Sequence, residues 1–309
     1  MAKAVFTTKI EPSYDDLPEE RYHFPRAYLR QVEAAVGDWI VYYEPRRANA
    51  MLSSRGGRQA YFATARVVRI AADPGTPDHF YAYMAHYLEF DRAVPFRESA
   101  HYYESQLRRA DGATSKGAFG RAVRPIPDDE FDLILRAGFA AVLNAEGQRI
   151  GPPTDRQEPT ELSEDPEAPF ERPIVERIIA RPFRDAAFAE AVKSAYGETC
   201  AITGLRLING GGRAEVQAAH IRPVASGGSD SVRNGLALSG TAHWMFDRGL
   251  LSIADDYTIL VAGDSVPEDA LRLIRPDRRV LLPERTEVWP HPAQLRYHRE
   301  RIFKSGVKL

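Results

Sequence analysis

The feature that most constrains this chain is the run from Asp155 to Glu171, D-R-Q-E-P-T-E-L-S-E-D-P-E-A-P-F-E, with seven acidic residues, one basic residue and three prolines. Its few apolar side chains cannot offset the entropy of ordering it, so residues 151–171 read as a solvated linker. That divides the 309 residues into a unit over 1–150 and a unit over 172–309, each long enough for its own core. A single cysteine excludes an intramolecular disulfide framework and a cysteine-rich zinc ribbon, so both cores rest on apolar packing. No apolar run approaches the roughly 18 residues of a spanning helix. The stretch M-A-K-A-V-F-T-T-K-I-E-P-S-Y-D-D lacks the apolar centre of a signal peptide, and a soluble, cytoplasmic chain without a membrane partner is expected.

The first unit reads as short strands separated by turns. Gly37 to Pro45 (GDWIVYYEP) is a turn leading into a strand rich in aromatic and β-branched residues, and Tyr61–Ile70 and Phe80–Phe90 are two more. A helix over Pro25–Val36 carries Tyr28, Leu29, Val32 and Val36 on one face, and Pro127-Asp128-Asp129-Glu130 opens another whose acids suit the positive end of its dipole. The pattern predicts a small β-barrel or sandwich flanked by helices.

In the second unit, Pro182–Tyr196 is an amphipathic helix ended by Gly197, followed by a hairpin-like stretch with a Gly210-Gly211-Gly212 turn and a second helix from about Thr241. The overall class is α+β. The net charge of −2 argues superficially against a nucleic-acid partner. It arises by cancellation: the acidic run is offset by residues 272–309, with ten Lys/Arg against four acids, and net charge says nothing about where charges sit.

The chemistry concentrates in Gln217-Ala218-Ala219-His220-Ile221-Arg222-Pro223, Gly227-Gly228, Asn234-Gly235-Leu236-Ala237-Leu238 and His243-Trp244-Met245-Phe246-Asp247-Arg248-Gly249. His220 follows a strand-like run and precedes a turn, a place from which an imidazole faces a cleft. His243 and Asp247 stand four apart on a helix, hence on one face, and can share a divalent cation. Asn234 lies between them, where its amide can fix a loop or orient a ring.

These segments resemble the HNH (ββα-metal) nuclease family, in the branch that reads A-H-I-x-P, then N-G-L-x-L, then H-x-x-F-D-x-G. The resemblance covers roughly residues 182–262. It implies that His220 is the general base activating a water for attack on a phosphodiester. Asn234 matches the residue holding the catalytic loop, His243 the helix-borne metal ligand, and Asp247 a further ligand. Arg222 and Arg248 are candidate phosphate contacts. One Mg²⁺ or Mn²⁺ is the implied cofactor, and double-strand cleavage implies a homodimer. The chain departs from the family at Ala219, where many relatives carry a ligating Asp or His.

The first unit resembles the PUA superfamily, which includes the EVE and SRA domains. It is expected to be a β-barrel that reads DNA, with Tyr22, Trp39, Tyr42 and Tyr43 as candidates for a pocket around a flipped base. The combined layout resembles modification-dependent restriction endonucleases acting on double-stranded DNA with 5-methylcytosine or 5-hydroxymethylcytosine. The alternatives are a sequence-specific HNH endonuclease without modification sensing and a non-cleaving nucleic-acid-binding regulator.

Overall fold

The computed structural model describes residues 2–8, 17–45, 59–149, 176, 180–263 and 266–304. The linker expected over 151–171 lies outside the described residues.

The N-terminal part is built on strands β1 (Ala4–Thr7), β2 (Arg21–Pro25), β3 (Trp39–Glu44), β4 (Ala60–Ala72) and β5 (His79–Pro95). A small hairpin of β6 (Arg97–Glu98) and β7 (His101–Tyr102) precedes β8 (Val123–Pro125). Five of these and β8 form one six-stranded sheet in the order β2-β5-β4-β3-β1-β8. Its pairs are antiparallel except β1 with β3. The register of β4 against β5 shifts at three places along their length, and such bulges increase local twist and bend a sheet. Where a small β-barrel or sandwich is expected, the sheet is curled into a half-barrel, with β2 and β8 at its two edges.

All six residues of β3 are buried, so this strand is covered on both faces. Alternation sends Trp39, Val41 and Tyr43 to one face and Ile40 and Tyr42 to the other. The first set packs with Phe131, Ile134 and Leu135 of helix α3 (Asp128–Gly138). The second packs with Phe6, Tyr22 and Phe24, and with Val32 of helix α1 (Leu29–Ala34). Two further helices, α2 (Lys116–Phe119) and α4 (Ala140–Arg149), flank α3 in sequence. A wholly buried ion pair ties β8 to the segment before it: Arg124 donates to both Glu104 oxygens at 2.7 Å, and Tyr61 Oη donates to Glu104 Oε1 at 2.7 Å. Buried charge is tolerated only when hydrogen-bonded this fully.

Helix α5 (Arg181–Ala195) joins the two cores. Phe183 and Ala187, one turn apart, pack into the cluster beneath β3. Phe188 and Val192, on the neighbouring stripe, pack into the C-terminal cluster with Cys200, Leu236, Leu238, Phe246 and Leu295. The C-terminal part continues as an antiparallel pair of β9 (Gln217–His220) and β10 (Gly235–Leu238), followed by helix α6 (Gly240–Asp247). A second pair, β11 (Leu251–Ile253) and β12 (Ile259–Val261), a short helix α7 (Glu268–Leu271) and helix α8 (Pro292–Arg301) complete it. Arg275, Arg279, Arg285 and Arg299 of the basic tail are engaged in ion pairs with Asp277, Asp256, Glu287 and Asp255.

Candidate functional site

The ββα unit of β9, β10 and α6, with the turn that leads into β10, places His220, Asn234, His243 and Asp247. His220 ends β9 opposite Gly235 of β10. A Cβ at Gly235 would stand 2.4 Å from Val192 Cγ2 and 3.1 Å from the Phe188 ring, so only glycine lets α5 lie on the strand here. The Phe188 ring thereby stacks on the His220 imidazole, with centroids 3.8 Å apart and planes at 9°.

The imidazole is oriented by a carboxylate. His220 Nε2 lies 3.0 Å from Asp230 Oδ1, and the second Asp230 oxygen accepts from Arg184 Nε at 2.8 Å and from Arg184 Nη2. Asp230 is buried, which disfavours its charge, yet the His220 hydrogen bond and the Arg184 guanidinium outweigh burial and hold its carboxyl below the ordinary value. An ionised Asp230 can only accept, so His220 Nε2 carries the proton and Nδ1 keeps its lone pair.

Asn234 is buried and spends its whole amide on the loop after His220. Its Oδ1 accepts from Arg222 N at 2.9 Å, and its Nδ2 donates to Arg222 O and Ser229 O, both at 2.9 Å. The loop is so tight that a Cβ on Gly228 would meet Arg222 O at 1.9 Å.

On α6, His243 Nδ1 lies 2.8 Å from Gln217 Oε1, and its Nε2 faces Asp247 Oδ2 at 3.4 Å. The glutamine oxygen fixes the proton on Nδ1, which frees Nε2 as a ligand. One imidazole nitrogen and one carboxylate oxygen at this spacing suit a hydrated divalent cation, since Mg²⁺ keeps several of its waters. Among the described residues no group of three or more His, Cys, Asp or Glu is placed to hold a metal. Ala219 is wholly buried in the C-terminal core and, by strand alternation, faces away from the side that carries His220.

The two candidate phosphate contacts differ. Arg222 is tied into its own loop, donating from Nε to Ser226 O at 2.8 Å with its guanidinium over the Tyr297 ring. Arg248 is exposed at the end of α6, 5.9 Å from the ring of Trp244, which is itself 58% exposed. A groove of about 830 Å³, lined by Lys193, Leu207, Ile208, Arg213 and Gln217, leads to His243.

The four aromatic pocket candidates are not brought together around a cavity. Trp39 and Tyr43 are buried in the cluster under α3, whereas Tyr22 and Tyr42 are buried in the cluster on the opposite face. Their apolar surface is consumed by the core, because β3 is covered on both sides. The single cysteine is buried, with Sγ 3.6 Å from Ser239 Oγ.

Three residues escape a reading of the sequence. Asp230 stands ten residues from His220 in an unremarked Gly-Gly-Ser-Asp turn, and its place in a tight loop between His220 and Asn234 is the only sequence signal for it. Arg184 and Gln217 carry no signal at all, since each reaches its partner only through tertiary packing.

Residues 200–254 match the model of the HNH endonuclease family. No curated protein matches the chain. Among solved structures, the modification-dependent TagI restriction endonuclease is 16% identical, covers 96% of this chain and 81% of its own, and superposes with a TM-score of 0.31. The N-terminal domain of Staphylothermus marinus McrB is 13% identical, with 43% of this chain and 92% of its own covered and a TM-score of 0.29. The type IV phosphorothioation-dependent restriction endonuclease ScoMcrA is 14% identical, with 96% and 52% covered and a TM-score of 0.20.

Proposed function

We propose, from a chain whose residues 200–254 match the HNH endonuclease family, that this protein is a divalent-metal-dependent DNA endonuclease whose N-terminal sheet selects DNA with modified cytosine. The observation that carries the nuclease reading is the Asp230–His220 pair on a ββα unit. With Nε2 protonated and hydrogen-bonded to Asp230, His220 Nδ1 is the atom that takes a proton from the attacking water. Asp230 stabilises the imidazolium that results. Asn234 keeps the loop from Arg222 to Ser229 closed and so fixes the backbone that carries both members of the pair.

His243 and Asp247 would hold the cation, with Gln217 setting the imidazole's tautomer. When bound, such an ion stabilises charge on the phosphoryl group and the leaving oxygen. Arg248, exposed beside Trp244, supplies a cationic contact to the strand. One centre of this kind cuts one strand, so a double-strand break calls for two copies of the chain on the DNA.

Selection of modified cytosine rests on the resemblance of the layout, a β-rich unit ahead of the segment that matches the HNH family, to modification-dependent restriction endonucleases. No helix among the described residues is long and apolar enough to cross a membrane, and a cytoplasmic site of action accords with a DNA substrate. The test is a digest of unmodified, 5-methylcytosine, 5-hydroxymethylcytosine and glucosylated DNA, each with Mg²⁺, Mn²⁺ or EDTA. Metal-dependent cutting confined to modified DNA is the expected result. Equal cutting of all four overturns the modified-base reading, and binding without cutting under any metal overturns the nuclease.

A further inference from the structure

The carboxylate behind His220 is held from the other half of the molecule. Arg184 lies one helical turn before Phe188 on α5, so its guanidinium falls beside the stacked His220 ring. Two of its nitrogens donate to Asp230. Its third, Nη1, lies 3.0 Å from Nδ1 of His86 on β5 of the N-terminal sheet. Arginine has no acceptor, so His86 must present the lone pair of a neutral ring there. His86 is exposed on the sheet, but desolvation of its ring against its neighbours and the charges of Arg184 and Arg66 lower its pKa, which favours the neutral ring.

His86 is itself placed by the sheet. Its backbone adopts a left-handed φ of 55°, at a break in the β4–β5 register, and its ring stacks against Trp39 of β3 at 6.0 Å and 29°. Two residues on, Leu88 forms a backbone bridge directly with Asp230. The loop holding Asp230 is therefore clamped to β5 by main chain and by side chain at once. A left-handed φ on a non-glycine residue is strained and persists only when surroundings over-determine it.

We infer that Arg184 and His86 are positioning residues that make the general base dependent on the seating of the N-terminal sheet. The sheet does more than select DNA: through Trp39, His86, Arg184 and Asp230 it holds the tautomer and angle of His220. A displacement of β5 by a fraction of an ångström moves Asp230 with it, which gives binding at the sheet a direct route to the cleavage step. This rests on the reading of His220 as the base.

The test uses the full chain with histidines labelled by ¹⁵N, the His220 ring being assigned by its loss in His220→Gln. Wild-type His220 is expected as the Nε2–H tautomer. Arg184→Ala is expected to mix the two tautomers and lower kcat on plasmid DNA by about tenfold to a hundredfold, the effect of losing the two charge-assisted hydrogen bonds to Asp230. KM should stay within about twofold, since no substrate contact is removed. His86→Ala should shift the same ring signal and lower kcat by about threefold to tenfold, and His86→Gln, which keeps an acceptor, should recover most of that loss. The inference is overturned if His86→Ala leaves both the His220 signal and kcat unchanged. It is equally overturned if His86→Gln behaves like His86→Ala, or if the loss in Arg184→Ala matches its unfolded fraction measured by circular dichroism. A wild-type chain that cuts no DNA overturns the nuclease reading alone, and the ring spectra then still decide the linkage.

Discussion

In the proposed reaction His220 is the base, a role that needs a ring nitrogen with its lone pair, and a carboxylate makes that choice. Asp230 at 3.0 Å claims the Nε2 proton of His220. Replacing Asp230 with Asn preserves shape but lets the amide donate to Nε2, which favours the wrong tautomer. Cleavage should fall by about 10²–10⁴-fold in Asp230→Asn, with DNA binding retained in a gel-shift measurement. His220→Ala should cost at least as much. For the cation, His243→Ala should weaken Mn²⁺ binding by about 10–100-fold, read directly by calorimetry, and Gln217→Ala should weaken it less because it only orients the ring. Much of this was legible in the residue order. The spacing of His220, Asn234, His243 and Asp247 points to one site, whereas Asp230, Gln217 and Arg184 join it through contacts that no local pattern encodes.

At the scale of elements, the packing of α5 on β10 is decided by the absence of one carbon. Gly235→Ala drives a Cβ to 2.4 Å from Val192 and against the Phe188 ring that supports His220. Overpacking of this kind should destabilise by about 1–3 kcal/mol in urea denaturation and displace the base, so activity should fall by more than stability alone explains. Helix α8 offers a separate reading of burial. His298 is stacked on Phe246 at 3.8 Å, its Nε2 donates to Phe246 O at 3.2 Å, and Ser252 Oγ donates to its Nδ1 at 2.9 Å. Burial, opposed by the Phe246 hydrogen bond, lowers its pKa to about 4. Because the folded value lies below that of the unfolded chain, protonation favours unfolding. Stability should therefore be full above about pH 6.5 and fall by about 3 kcal/mol as pH drops towards 4. Denaturation at pH 7 and pH 5 should show the loss in wild type and not in His298→Gln. Helices α3 and α5 and strands β3, β4 and β5 follow from apolar periodicity; α1 is shorter than the helix expected over Pro25–Val36, with Pro25 ending strand β2, and β5 extends furthest past its pattern, to Pro95, because β4 pairs with it along its length.

At the scale of the whole molecule, the two parts share a helix. Phe183 and Ala187 bury into the N-terminal core while Phe188 and Val192 bury into the C-terminal one. Phe183→Ala should cost about 3–5 kcal/mol and should lower the cooperativity of unfolding, since it removes a contact that couples the cores. Calorimetry should then show a broadened or split transition where the wild type gives one. The acidic run marks a change of composition at residues 155–171, and its charge is offset by the basic residues of 272–309. Helix α5, which follows the run in the chain, packs into both cores.

The sequence by itself determined the class of elements, the apolar stripes that bury them, and the ordered histidine, asparagine and aspartate residues of the segment that matches the HNH endonuclease family, because these depend on local periodicity and fixed spacing. It could not determine that the sheet curls without closing, that the aromatic residues of β3 are consumed by two cores, or that Asp230 and Arg184 stand behind His220. Those depend on which surfaces meet after folding, and a buried ion pair or a stacked ring has no signature until the elements that carry its members are brought together.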